Sequence, residues 1–201
     1  MPKTRVVKEL DQIQAVAGRY LKPLGFKVKG RTFNRPTIDG LVQVINFQKD
    51  RYGDRFSVNV GVYIPEVAKH MDNEAVGTWV QEYHCNVRAR LGPTGIDGND
   101  MWWVVRDPET VGSQLSARME NQCVPYLDQH ATRDMILSAL EHRLEEQGAF
   151  GAPRLISAII HNCKGEKKRA RELLEEQLQF SKTSAHEDYV RELAAELGVT
   201  L

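Results

Sequence analysis

Arg88 and Arg90 alternate with Val87, Ala89 and Leu91, and His84 and Asn86 precede them at the same two-residue spacing. In an extended strand that spacing puts all four polar side chains on one face, because successive side chains point to opposite sides. The segment Phe56 to Ile64 repeats the pattern: Phe56, Val58, Val60, Val62 and Ile64 alternate with Ser57, Asn59, Gly61 and Tyr63. Leu41 to Gln48 supplies a third strand with Asn46 and Gln48. If the strands align, Arg88, Arg90, His84, Asn86, Asn59 and Gln48 form one polar, basic surface. Its chemistry is anion recognition, in which guanidinium and amide donors hold a phosphate or carboxylate through charge-assisted hydrogen bonds. An ordinary solvated sheet face has the same pattern and is the default for antiparallel sheets.

Other chemistry finds less support. Six histidines and three cysteines are present, but they are not clustered as paired CxxC or HxxxH, as a zinc site requires. His84 and Cys85 are neighbours on one strand and point apart, which favours a core position for Cys85. No Gly-x-Ser-x-Gly elbow, Walker loop, GxGxxG or HExxH occurs. Cys123 falls near the end of an amphipathic helix, where burial is the better reading. No catalytic residue, cofactor or metal is therefore assigned, and the reading leans away from an enzyme.

These candidates need a scaffold. Leu10, Ile13, Ala17, Tyr20 and Leu24 recur at helical spacing from about Thr4 until Pro23 and Gly25 end the run. Short alternating pieces follow from Phe26 to Arg35, then the turn Asp39-Gly40 and the strands already named. Pro65 stops the ladder because it has no N–H to donate. Glu66 to Val80 reads as a short helix and a loop. Gly92-Pro93-Thr94-Gly95 turns the chain into an aromatic strand, Met101 to Arg106, in which Trp102 and Trp103 face opposite sides. Asp107-Pro108-Glu109 is a helix start, with a capping oxygen, proline at the first position and an acid near the positive dipole end.

Beyond about Gln129 the character changes to four amphipathic helices, roughly Thr132 to Gln147, Pro153 to Cys163, Glu166 to Phe180 and His186 to Leu197. The basic run Lys164 to Arg171 is followed by Glu172, Glu175 and Glu176, so ion pairs such as Lys168 with Glu172 and Arg171 with Glu175 make it a solvated helix face. The expected architecture is α+β: an antiparallel sheet of four or more strands flanked by helices, over residues 1–129, followed by a C-terminal antiparallel helical module, residues 130–201. The sheet is expected to pack on the helices from Thr4 to Leu21 and Pro108 to Gln122.

Composition narrows the partners. The 201 residues carry 27 lysines plus arginines and 27 acids, so no global field steers the chain to nucleic acid or an anionic membrane. Through Arg35, however, nine basic residues stand against Glu9 and Asp11. Three widely spaced cysteines fit a reducing compartment, and no apolar run approaches a signal region or membrane span. The expectation is a soluble, cytoplasmic protein that does not enter a membrane.

Gly25-Phe26, Gly30, Phe33 and Arg35, then Val44 to Gln48 and Phe56 to Val62, resemble a bacterial family catalogued as domain of unknown function 4304. Cys85 to Gly92 and Trp102-Trp103 are similar to that family's second half, so the resemblance spans about residues 4–128. It implies an α+β domain and carries no catalytic residues. The leading functional expectation is a non-enzymatic protein-binding module, with a toxin-neutralising immunity protein as one form. The alternatives are a nucleic-acid-associated protein using the basic N-terminal segment with Arg88 and Arg90, and an enzyme whose site bears no known signature.

Overall fold

A computed structural model describes residues 4–75, 77–98, 101–144 and 152–201. The chain divides into two compact units, one formed by Met1–Tyr63 with Ala75–Ala131 and the other by Ile64–Glu74 with Thr132–Leu201.

The first unit is a seven-stranded antiparallel sheet with helices, the α+β architecture expected. Helix α1 (Arg5–Leu21) starts where the Oγ1 of Thr4 accepts the Val7 amide. It buries the stripe Leu10, Ile13, Ala17 and Leu21. Strands β1 (Lys27–Lys29), β2 (Thr32–Pro36), β3 (Val42–Lys49) and β4 (Arg55–Tyr63) follow as a meander. β5 (Val87–Gly92) pairs with β4 and then with β6 (Gly95–Ile96), while β7 (Trp103–Val104) pairs with the start of β4. Register puts Val60 between Ile45 and Ala89, and Asn59 between Asn46 and Arg90.

One face of this sheet meets the helices. Phe33, Phe47, Phe56 and Trp103 run across four strands with ring centroids 5.9, 6.0 and 6.3 Å apart in succession. Gly18 of α1 lies over the Phe33 ring. Helix α3 (Pro108–Arg118) packs on α1, and a π-helical turn, Met119–Cys123, leads into α4 (Val124–Asp128), where the Leu127 carbonyl accepts the side-chain amide of Gln43 at 2.5 Å. Helix α3 begins at Pro108 as its sequence signals. The Asp107 carboxylate, however, takes the Thr110 hydroxyl at 2.5 Å instead of capping a backbone amide.

The other face departs from the simple alternation. Every residue of β4 except Arg55 is buried, including Ser57 and Asn59. At the Gly61–Val62 end of β4 the cover is the segment 77–86, which we call the strap. Asn34 of β2 fixes it: the side-chain amide donates to the Val80 carbonyl and accepts the Val80 N–H, both at 2.9 Å. One asparagine thereby reproduces the two-bond exchange of an antiparallel residue pair. The Thr32 hydroxyl donates to Gln81 Oε1 at 3.1 Å and accepts from Asn46 Nδ2 at 2.9 Å. Asn34, Thr32 and Asn46 therefore satisfy one another and the strap's backbone, whereas the buried Ser57 hydroxyl has no partner among the described residues. Asn34→Ala would strand both backbone groups of Val80, and we expect a loss of about 2 kcal/mol in chemical denaturation. An unchanged midpoint would show that the strap finds water instead.

In the second unit, α2 (Pro65–His70) packs against α6 (Ala152–Cys163), which also packs on α5 (Arg133–Glu141) and α7 (Lys167–Gln179), with α8 (Ser184–Glu196) on α7. The short helix and loop expected after Pro65 are present. The first tail helix ends at Glu141, short of the expected span, and 145–147 lie outside the described residues. Arg133 donates to both carboxylate oxygens of Glu66, at 2.6 and 2.8 Å. On α7, Arg171 pairs with Glu175 as its spacing suggests, but the partner of Glu172 is Arg169, not Lys168. Among the described residues no helix is long and apolar enough to cross a membrane.

Candidate functional site

Central strands place part of the expected polar surface together. Gln48, Asn59, Arg88 and Arg90 share the strap-side face, since Asn59 opposes Arg90 and Asn46, and Gln48 opposes Ser57. The residues are chained: Arg90 Nε donates to Asn59 Oδ1 at 3.0 Å, and Asn59 Nδ2 donates to Gln48 Oε1 at 2.8 Å. Asn59 is buried, Arg90 half-buried, Arg88 and Gln48 exposed. The buried amide of Asn59, itself held by Gln48, and a paired strand on each side thus fix the guanidinium of Arg90 before any ligand arrives.

His84 and Asn86 do not extend this face as strand residues. Glu82–His84 is a 3₁₀ turn, and the strand expected from Tyr83 starts only at Val87. The imidazole Nδ1 of His84 accepts the Gln81 N–H at 3.2 Å, and its ring contacts Tyr83 edge-on. The backbone amide of Asn86 donates to the Val62 carbonyl at 3.0 Å. Both residues belong to the strap that covers the face. The alternation of Tyr83, Cys85 and Val87 mimics a strand, but the capping exchange between Gln81 and His84 tightens the chain into a turn there.

Two acids complete the corner. Glu82, almost fully buried, accepts from Arg88 Nε at 2.7 Å and Nη2 at 2.6 Å through one oxygen. The Asp97 carboxylate accepts the Arg90 backbone N–H and the Asp97 N–H donates to the Arg90 carbonyl, each at 2.8 Å, so a side chain supplies one of the two bonds beyond the end of the β5–β6 ladder. Asn59, Glu82, Arg88, Ala89, Arg90 and Asp97 line an open depression of about 270 Å³. Arg88 is thus already paired with a carboxylate from the chain itself. Arg90 makes no ion pair among the described residues. The corner presents directed N–H donors of the kind that can hold an anion, and the Glu82 carboxylate of the chain itself already occupies part of it.

Glu82 and Asp97 were not legible as site residues, because neither lies on a strand face in the alternating pattern. Of the tryptophans, Trp103 is buried and its indole N–H donates to the Leu91 carbonyl at 2.9 Å. Trp102 is half-buried beneath the guanidinium of Arg55.

Cys85 and Cys123 are both buried, as their positions suggested. Burial pushes the Cys85 thiol well up and that of Cys123 to about 12. Both therefore stay neutral near pH 7, whereas the thiolate is the nucleophilic form. Among the described residues no three metal-ligating side chains come together.

No curated protein and no solved structure matches the chain. Residues 17–129, more than half of it, match the family described as "Domain of unknown function (DUF4304)". That span runs from within α1 through the strands and the strap to the residue after α4. It includes every residue of the arginine corner, and the chain belongs to this family of domains of unknown function.

Proposed function

We propose that the chain is a non-enzymatic protein-binding module that takes an acidic group of a partner protein at the Arg88–Arg90 corner. The observation that carries this reading is the fixed guanidinium of Arg90, oriented by Asn59 and Gln48 and without a carboxylate of its own among the described residues. A donor held in place before binding loses little freedom when an acid docks, and that saving goes into affinity. Glu82 on Arg88 displays the geometry a partner's carboxylate would adopt two residues along the strand, at Arg90. A toxin-neutralising immunity protein is one form of this reading, since such a protein acts by covering its partner and needs no chemistry of its own.

Nucleic-acid binding through the N-terminal segment is the weaker alternative. Arg5, Arg19, Arg31 and Arg35 pair with Glu9, Glu109, Asp11 and Asp128, which spends much of the local positive charge.

Affinity capture with the wild-type chain and with the Arg88→Ala, Arg90→Ala double variant tests the proposal. Both baits are first shown to be folded by thermal unfolding. We expect at least one protein retained by wild type to fall about tenfold or more on the double variant, as interfacial charge pairs typically allow. Undiminished capture would remove the corner. Capture abolished by nuclease and steeply weakened by salt would favour nucleic acid.

A further inference from the structure

The outer edge of β1 is a second surface, separate from the arginine corner. β1 ends the sheet, its three residues are all exposed, and no described strand pairs with its outer side. The hairpin that presents it is fixed. Gly30, at φ +60°, occupies the first central position of a two-residue turn, which a type II′ hairpin reserves for glycine. The Gln14 side chain of α1 donates to the Gly30 carbonyl at 2.7 Å and ties the turn to the helix.

Hairpin geometry then says which backbone groups face outward. In a two-residue hairpin the pair closing the turn, here Lys29 and Thr32, exchanges both hydrogen bonds, and the next pair, Val28 and Phe33, exchanges none. The N–H and C=O of Val28 accordingly point away from β2, along the free edge. On the helix side, a groove of about 590 Å³ runs beside this edge, with Val7, Ala15, Gly18, Val28 and Phe33 among its apolar lining and Lys22 at its wall. Lys27 and Lys29 point to the opposite face from Val28. Lys22, Lys27 and Lys29 have no ion pair among the described residues, while Asp11, the acid lining the groove, is engaged by Arg31 at 2.9 Å.

We propose that β1 accepts an extended acidic peptide segment as an eighth strand, with an acid–apolar–acid sequence in register with Lys27, Val28 and Lys29. The central residue exchanges two backbone hydrogen bonds with Val28 and drops its side chain into the groove above Phe33. The flanking acids lie directly opposite Lys27 and Lys29, where cross-strand opposite charges attract. Main-chain bonds supply affinity in this mode, and the groove and lysines supply selectivity. The competing explanation is that lysines on a short edge strand serve only to block aggregation.

A fluorescein-labelled, end-blocked peptide containing Thr-Glu-Val-Glu-Thr, titrated with the full chain and followed by anisotropy, decides between them. We expect saturable binding that falls more than tenfold when the valine nitrogen is methylated, and more than tenfold when both glutamates become lysines. The variant K27E/K29E should reverse the preference toward the lysine peptide. The Arg88→Ala, Arg90→Ala double variant should bind the peptide like wild type, so this proposal stands or falls apart from the one above. No saturable binding at millimolar peptide would overturn it, and so would binding indifferent to methylation and charge. Because two of the changes are made in the peptide, the result does not depend on how any protein variant folds.

Discussion

Val60→Asp is expected to cost about 4 kcal/mol or more, a large share of the roughly 5–15 kcal/mol that holds a domain of ordinary stability together. Val60 is fully buried on the helix-side face and sits between Ile45 and Ala89 in the central strands. The residues on its own strand at the same face, Val58 and Val62, are apolar and buried as well. A carboxylate there would have no cation or donor to meet, and a charge left unpaired in such a setting is among the most destabilising changes a single substitution makes. Arg88→Ala on the opposite face should cost less, about 2 kcal/mol: the Arg88 side chain is itself half exposed, but its loss leaves the nearly buried Glu82 carboxylate without its cation. Thermal or urea unfolding of the two variants gives the comparison, and equal losses would refute the assignment of the two faces.

Gly61→Ala should be nearly as damaging, by about 3 kcal/mol, for a reason of space and not of polarity. A Cβ at Gly61 would lie 2.6 Å from the Cβ of Cys85, 3.0 Å from its sulfur and 3.0 Å from the Val87 carbonyl oxygen. Shortening Cys85 to alanine cannot relieve the clash, because the closest atom is a Cβ that alanine keeps. Either the strap lifts from β4 or the β4–β5 pairing distorts, and overpacking of this kind usually costs about 1–3 kcal/mol. Adding Cys85→Gly to Gly61→Ala should restore part of the loss, whereas Cys85→Ala should not. If Gly61→Ala unfolds at the wild-type midpoint, the strap is not seated on β4 in solution.

Period-two alternation made the helix-side face legible: Phe56, Val58, Val60, Val62, Val87 and Leu91 are all buried, whereas Cys85, although in step with Val87 in the sequence, is buried against Gly61 on the opposite face. The opposite face was harder, because its polar residues look the same whether water or protein covers them. Asn34, Thr32 and Asn59 are polar yet buried, and what buries the first two is a stretch without regular structure whose Val80 follows Asn34 by 46 residues. No periodicity announces such a segment. Tyr83 and His84 mislead for a local reason, since three alternating residues fit a strand as well as one 3₁₀ turn. In the tail the helices were legible from their stripes, while the partner of Glu172 depended on rotamers that spacing alone leaves open between Lys168 and Arg169. The arginines themselves were visible at once. Their difference, Arg88 occupied and Arg90 without an ion pair among the described residues, rests on Glu82, which only the folded chain brings near.

The chain leaves the sheet unit after Tyr63, contributes Ile64–Glu74 to the helical unit, and returns at Ala75. Order of synthesis gives this detour a consequence. Helix α2 is made long before the helices it belongs with, and its Glu66 meets Arg133 only 67 residues later. Until then Val67 and Ala68, buried in the finished fold, have no α6 to lie against. A chain ended at Ala131 would hold the whole family match and the whole sheet. It would also carry α2 as a permanent remnant of a unit that never forms, so the sequence boundary of the family is not a boundary at which the protein can be cleanly cut.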